Sequence, residues 1–363
     1  TGALQGVDAG VRQASISGTA DCDVMHGSLR WDSERAGRVQ ADLSTRLSRG
    51  NSQTGSGRQW PVDAPITGTV RAQLPQVGAW SVLAPPGWRV RGTLDANIDV
   101  SGTRASPQWH GTLTADDLAL RSVVDGIDFS KGKLHATFTG QRMDIQEFSL
   151  DGASAGSSAG GKLTLQGFAE WLPSGASATP ALSKIRMVLQ AKADGLRVMS
   201  RDDRRLTVSG ALQASLSDAT LEIRGALKAD QALFVVPDDT SPKLGNDVVV
   251  HASSKHSGQV ASGAAGNSPA PPAKQAPAQP LKTDVAVTLD LGSDFHVKGR
   301  GLDTRLAGTL KLASSGTAAA APRLTGEVRT VRGSYRAYGQ QLDIEQGVLR
   351  FTGAYDNPTL DIL

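Results

Sequence analysis

The sequence predicts an all-β protein, and three observations lead to that class. Apolar and polar residues alternate with period two along most of the chain, as in strands with one apolar and one polar face. Roughly 20 such segments, each about 6 to 11 residues long, are separated by Gly, Asp-Gly or Ser-Gly. Glycine supplies 41 of the 363 residues, whereas Phe, Trp and Tyr together supply 16. This composition favours many short strands with tight turns over a compact α/β enzyme core.

The clearest strand pattern runs from Val90 to Val100, where apolar residues or glycine hold every even position and polar residues every odd one. The same alternation recurs in residues 221–228, 281–291 and 302–312. Residues 34–47 place apolar side chains at spacings of three and four, which also fits a helix, but an alternation within the segment fits a strand equally well. Helical patterns are otherwise poor, so the strands are expected to continue along the chain.

The predicted organisation is one continuous β section over residues 1–252, an insertion over 253–280 and a continuation of the same section over 281–363. Residues 261–280 hold 7 Ala and 5 Pro and show no periodicity, which predicts a disordered or extended segment. Strand patterns flank it on both sides, so we interpret it as an insertion within one sheet. Alternation still runs at the last residues, which predicts a section of a longer chain that is truncated at its C-terminus.

The sequence gives no support for catalysis, so we expect a protein that is not an enzyme and needs no cofactor. Of the six histidines only His251 and His256 lie near one another in the sequence, five residues apart, and a solvated pair is expected there in preference to a metal site. Cys22 is the single cysteine, so no disulfide within the chain is possible. The 38 basic and 35 acidic residues form no basic cluster, so nucleic acid is not an expected partner.

The apolar faces of these strands must be covered, because burying an aliphatic side chain is worth about 1.5 to 3 kcal/mol. A second sheet in a sandwich or barrel would cover them, and so would lipid along the inner wall of a long curved sheet. Composition alone does not decide between these two ways of covering the apolar faces. The residues expected to line the wall in the second case are Val90, Leu94, Ile98, Val100, Leu221, Ile223, Leu227, Val285, Val287, Leu289, Leu291, Leu302, Leu306, Leu310 and Leu312.

Four stretches between residues 185 and 363 resemble the TamB family, the inner-membrane subunit of the bacterial translocation and assembly module. They are residues 198–210, 224–250, 292–302 and 333–362, and the last is the most specific, with Gly-Ser-Tyr-Arg-Ala-Tyr-Gly-Gln followed later by Asn-Pro-Thr-Leu-Asp-Ile. The stretches stand in the family's order. Residues 1–184 carry only the general strand pattern and are assigned by continuity.

The resemblance implies a long β-sheet folded into a U-shaped hydrophobic trough, the β-taco, with mostly hairpin-connected strands. It implies a periplasmic protein anchored in the inner membrane, with a TamA-like outer-membrane barrel as partner. It further implies roles in phospholipid transport and in assembly of outer-membrane proteins such as autotransporters. The expected ligands are phospholipid acyl chains and unfolded outer-membrane protein strands. Two differences stand out, since the family's anchor helix is absent and the sequence ends before the family's C-terminal part.

About 20 strands spaced ~4.8 Å apart would extend such a trough by roughly 95 Å. Glycines are expected at its turns and rims, and smooth aliphatic side chains on its inner wall. An alternative fold and function is a parallel β-helix that acts as a surface adhesin or a polysaccharide-active protein. Such a chain would show a regular repeat and closed coils, whereas the trough requires antiparallel hairpins in an open sheet.

Overall fold

The computed structural model describes residues 10–21, 23–49, 58–79, 87–154, 159–172, 185–237, 281–317, 321–354 and 357–362. Within these ranges the chain is almost entirely strand and forms no α-helix, which confirms the all-β class. The segment that resembled a helix, residues 34–47, contributes a strand instead. No helix in the described ranges has the length and apolarity that crossing a membrane requires.

The described residues form 21 strands. In chain order they are β1 Val11–Asp21, β2 Val24–Ser33, β3 Gly37–Arg46, β4 Ser48–Arg49, β5 Arg58–Gln59, β6 Ile66–Leu74, β7 Trp88–Thr103, β8 Ser106–Ser122, β9 Ile127–Gly140, β10 Arg142–Asp151, β11 Lys162–Trp171, β12 Ile185–Ser200, β13 Arg204–Ser217, β14 Thr220–Val235, β15 Lys282–Asp290, β16 Phe295–Gly299, β17 Leu302–Thr317, β18 Arg323–Ala337, β19 Gln340–Ile344, β20 Gly347–Ala354 and β21 Thr359–Ile362.

Nineteen of these strands belong to one sheet, and only β4 and β5 pair separately. Strands follow one another across the sheet in chain order, almost always as antiparallel neighbours. The exception is β14, which pairs in parallel with β15 and β16. Residues 238–280, which include the predicted insertion at 253–280, lie outside the described part of the chain.

The sheet has 17 successive strand positions, because β15 and β16 lie end to end beside β14 and β17, and β19 and β20 both lie beside β18. Sixteen intervals of about 4.8 Å give a length of roughly 77 Å. This is shorter than the roughly 95 Å expected from about 20 strands, since collinear strands share one position. The antiparallel strand order also excludes a parallel β-helix for the described residues. Among these residues β1 and β21 do not pair with each other, so the sheet is open.

The sheet bends along a line that crosses it from β8 to β20. Most extra residues or breaks in the strands lie on this line, and those at Arg12, Gln146 and Val198 lie away from it. A β-bulge bends its strand and increases the local twist. The irregularities on the line occur at Asp116 and Asp117 in β8, Lys131 in β9, Asp194 and Gly195 in β12, Asp230 in β14, residues 291–294 between β15 and β16, Val331 in β18 and residues 345–346 between β19 and β20. Because these irregularities occupy neighbouring positions in several strands, we infer that the sheet curves along this line, as a trough requires.

The two clusters of buried side chains on the apolar face lie beside this bend, as expected if that face is the concave one. Ala193, Leu196 and Val208 form one buried cluster beside the irregularity in β12. Leu291, Leu310 and Val328 form a second cluster beside the break between β15 and β16. A concave bend brings side chains of successive strands together, so these clusters are the core of the molecule.

Candidate functional site: the apolar face

The apolar face is built from cross-strand rows of apolar residues. Within a sheet, directly paired residues point to the same face, so the strand registers can be followed from one strand to the next. One row, which we call the central row, runs without interruption from β6 to β20. Its thirteen members are Leu74, Leu94, Ala115, Leu134, Phe148, Leu165, Ala191, Leu212, Gly225, Val287, Leu312, Leu324 and Gly353.

Further apolar rows lie on both sides of the central row. On one side a row of thirteen apolar residues or glycines runs from Ala14 in β1 to Val285 in β15, and the next residue across is Ser314 in β17. On the other side, towards the bend, a row of nine begins at Leu150 in β10 and ends at Phe351 in β20. Together these rows make a continuous apolar stripe along the trough.

All fifteen residues expected to line a wall lie on this face, although the structure does not test whether lipid contacts them. Leu227, Leu289 and Leu310 are consecutive members of the row on the bend side. Val90 and Leu302 lie beyond the bend. The four residues of β7 are seven strand positions, roughly 34 Å, from those of β14.

The strands between β7 and β14 supply wall residues that the sequence analysis did not single out. Leu134, Phe148, Leu165 and Leu212 fill the central row there. Their signal was present in the sequence, since Lys162 to Gln166 alternates as clearly as the segments that were chosen. The wall is therefore longer and more continuous than the predicted residue set.

Few large apolar side chains are fully buried. Sixteen apolar residues are buried in the described part of the chain, and nine of them are alanines. Leu94, Ile98 and Leu289 are only partly buried. No second sheet packs on the apolar face among the described strands, where the remaining sheet consists of β4 and β5 alone. The sandwich alternative is therefore excluded for the described residues, and much of the apolar face is accessible.

Aromatic side chains collect on the wall, contrary to the expectation of a purely aliphatic surface. Phe138 in β9 packs against Trp171 in β11 with ring centroids 6.3 Å apart. On the other side of the bend, Phe234 and Phe295 stack at 5.6 Å. Phe168 points to the polar face, where the Arg142 guanidinium lies 3.9 Å from its ring centroid. Aromatic residues are thus few in the sequence but concentrated where apolar surface is needed.

Glycines differ from expectation too, because many lie inside strands on the apolar face and not in turns. Gly225 in β14 has a φ of +153°, and a Cβ there would lie 2.2 Å from the carbonyl oxygen of Ala211. Gly111 in β8 has a φ of +149°, and its Cβ would lie 2.0 Å from the carbonyl oxygen of Asn97. Both positions exclude other residues on steric grounds, since only glycine tolerates this backbone and this approach.

The polar face carries ion pairs that join neighbouring strands. Arg224 in β14 donates to Asp284 in β15 through two nitrogens, at 3.2 and 2.6 Å. This hydrogen bond lowers the pKa of the Asp284 carboxyl below its ordinary value and raises that of the Arg224 guanidinium. Hydrogen bonding from Arg329, supported by Arg350, lowers the pKa of Glu327 in the same way. Such charges keep the polar face hydrated.

The arrangement of the apolar face suits the binding of apolar molecules. Among the described residues, no three His, Cys, Asp or Glu side chains come together as metal ligands would. The shifted pKa values belong to exposed ion pairs on the polar face, which is the usual effect of such pairs.

A comparison with protein families gives a match. The family model described as the TamB C-terminal domain matches residues 151–363, which is more than half of the chain. The match begins earlier than the stretches recognised in the sequence and covers β11 to β21 completely.

Proposed function

The chain belongs to the TamB family, and we propose that its apolar face is a non-enzymatic conduit along which phospholipid acyl chains pass between the inner and outer membranes. Members of this family take part in the translocation and assembly module. They are inner-membrane-anchored periplasmic proteins that associate with a TamA-like outer-membrane partner. We also propose that this chain associates with such a TamA-like partner and acts as a scaffold for autotransporter assembly.

The observation that carries the proposal is the uninterrupted central row. It crosses twelve strand intervals, roughly 58 Å, with no polar side chain among its thirteen members. Removing a CH₂ group from water is worth about 0.8 kcal/mol. An acyl chain that slides along a uniform apolar stripe keeps that gain at each step, so movement between successive positions is expected to meet only small barriers.

The amphipathic sheet explains how such a conduit stays soluble. Ion pairs and hydroxyl groups cover the polar face, whereas the concave face lacks a covering layer among the described strands. A phospholipid whose tails lie on the apolar stripe would keep its charged headgroup at the open side of the trough, because burying that charge in apolar surroundings costs several kcal/mol. No cofactor or proton transfer is required for this movement.

Site-specific photo-crosslinking tests the proposal. A photoreactive amino acid is placed at Ile98 or Leu289 on the apolar face, and at Asp99 or Thr288 as matched neighbours on the polar face. After irradiation in cells, crosslinked lipid is identified by mass spectrometry. We expect phospholipid adducts at Ile98 and Leu289 and few at their neighbours. Equal labelling on both faces, or none on the apolar face, would refute the conduit.

A further inference from the structure

A second candidate binding site lies on the polar face, on the side of the sheet opposite the proposed conduit. A groove of about 690 Å³ crosses β10 to β14 there. The small side chain of Ala211 in β13 forms a depression, which the longer side chains of Lys192, Gln213 and Arg224 surround. The volume falls in the range of ~300 to 1,000 Å³ that is usual for small-ligand sites.

Three glutamines line this groove in one cross-strand row. Gln166 in β11 pairs with Gln190 in β12, which pairs with Gln213 in β13. None of the three side chains makes a hydrogen bond to another described residue. Each amide offers two donors and one acceptor. Neighbouring strands are about 4.8 Å apart, so the row presents the same hydrogen-bonding group at regular intervals along the trough.

The charges in the groove are mainly positive and unpaired. Neither Lys162 nor Lys192 lies within ion-pair distance of a described carboxylate, whereas Arg142, Arg224 and Arg329 on the same face are paired. Arg224 is held by Asp284 at 2.6 Å. Glu147 is the one acidic residue in the lining. The groove therefore combines free amides with two available cations.

We propose that this groove binds an extended acidic sugar chain, a polysaccharide whose units carry carboxylates. Amides both donate to and accept from sugar hydroxyls, and a lysine ammonium forms a charge-assisted hydrogen bond with a carboxylate. A polymer lying along the glutamine row meets an equivalent amide on three successive strands. Phe148 is the one aromatic residue of the lining, and its side chain belongs to the central row on the apolar face, so the groove offers no ring on which nucleic-acid bases would stack. The site goes beyond the proposed function, since acyl chains would occupy the other face.

Titration of the purified chain with oligogalacturonate, an acidic sugar oligomer, tests this site, with a neutral cello-oligosaccharide of equal length as the comparison ligand. Isothermal calorimetry gives both affinities. We expect binding of the acidic oligomer alone, weakened about tenfold in Lys192→Ala and in Gln190→Ala. Lys311→Ala removes an exposed lysine of the polar face outside the groove and is expected to bind as the unmodified chain does. Circular dichroism verifies that all variants remain folded.

Several results would overturn the assignment. They are no binding of the acidic oligomer, equal binding of the neutral oligomer, or an equal loss in Lys192→Ala and Lys311→Ala. The lipid conduit is tested separately in the same preparations by extraction and mass spectrometry of bound phospholipid. Gln190→Ala is expected to leave bound lipid unchanged, so failure of the sugar site and failure of the conduit are distinguishable.

Discussion

Leu289→Arg is expected to block lipid passage while leaving the sheet folded. Leu289 lies between Leu227 and Leu310 in the row on the bend side of the stripe and packs against the second buried cluster. It is only partly buried, so losing its side chain costs the fold about 1 to 2 kcal/mol, and the arginine stem can carry its charge out to the open side. A guanidinium there displaces about three CH₂ contacts of a passing chain, worth about 2.4 kcal/mol.

That barrier corresponds to roughly 50-fold slower transfer. The assay measures the movement of a fluorescent phospholipid between vesicles in the presence of the purified chain. Thr309→Arg is the matched control, because Thr309 is exposed on the polar face between Asp290 and Glu327, which would accommodate the new charge. Transfer by Leu289→Arg at the rate of this control would refute the proposed path. If Leu289→Arg fails to fold while Thr309→Arg folds normally, Leu289 belongs to a closed core.

Two further predictions concern the fold. Gly225→Val should lower the free energy of unfolding by about 2 kcal/mol or more, because its Cβ would overlap the Ala211 carbonyl oxygen. Gly27→Ala is the control and should change the free energy of unfolding little, since nothing lies within 4 Å of its Cβ. Equal denaturation midpoints for the two variants would contradict this prediction. Arg224 lowers the pKa of Asp284, so this pair's contribution is complete above the ordinary carboxyl pKa of 3.8 and is lost as pH falls below it. In Asp284→Asn the decline in melting temperature below pH 4 should be shallower, and an unchanged pH dependence would argue against the pair.

The sequence predicts the faces of individual strands well, because alternation is a local property. All fifteen wall residues lie on one face, and the ambiguous segment at 34–47 contains β3, since an isolated spacing of three and four cannot outweigh pairing with both β2 and β6. The positions of the glycines within strands are harder to predict from the sequence. The sequence does not distinguish Gly225 from a glycine in a turn. Only the close approach of the neighbouring strand's backbone explains why a glycine lies in the middle of β14.

The amino-acid sequence by itself determined the all-β class, the amphipathic strands and the family, because these follow from residue order and from matched motifs. Tertiary structure decided what the strands build together. Strand register places thirteen residues from β6 to β20 in one row, and no local pattern specifies which residue of the next strand stands opposite. The parallel pairing of β14 with β15, the line of the bend and the groove beside the glutamine row likewise depend on contacts between residues far apart in the chain.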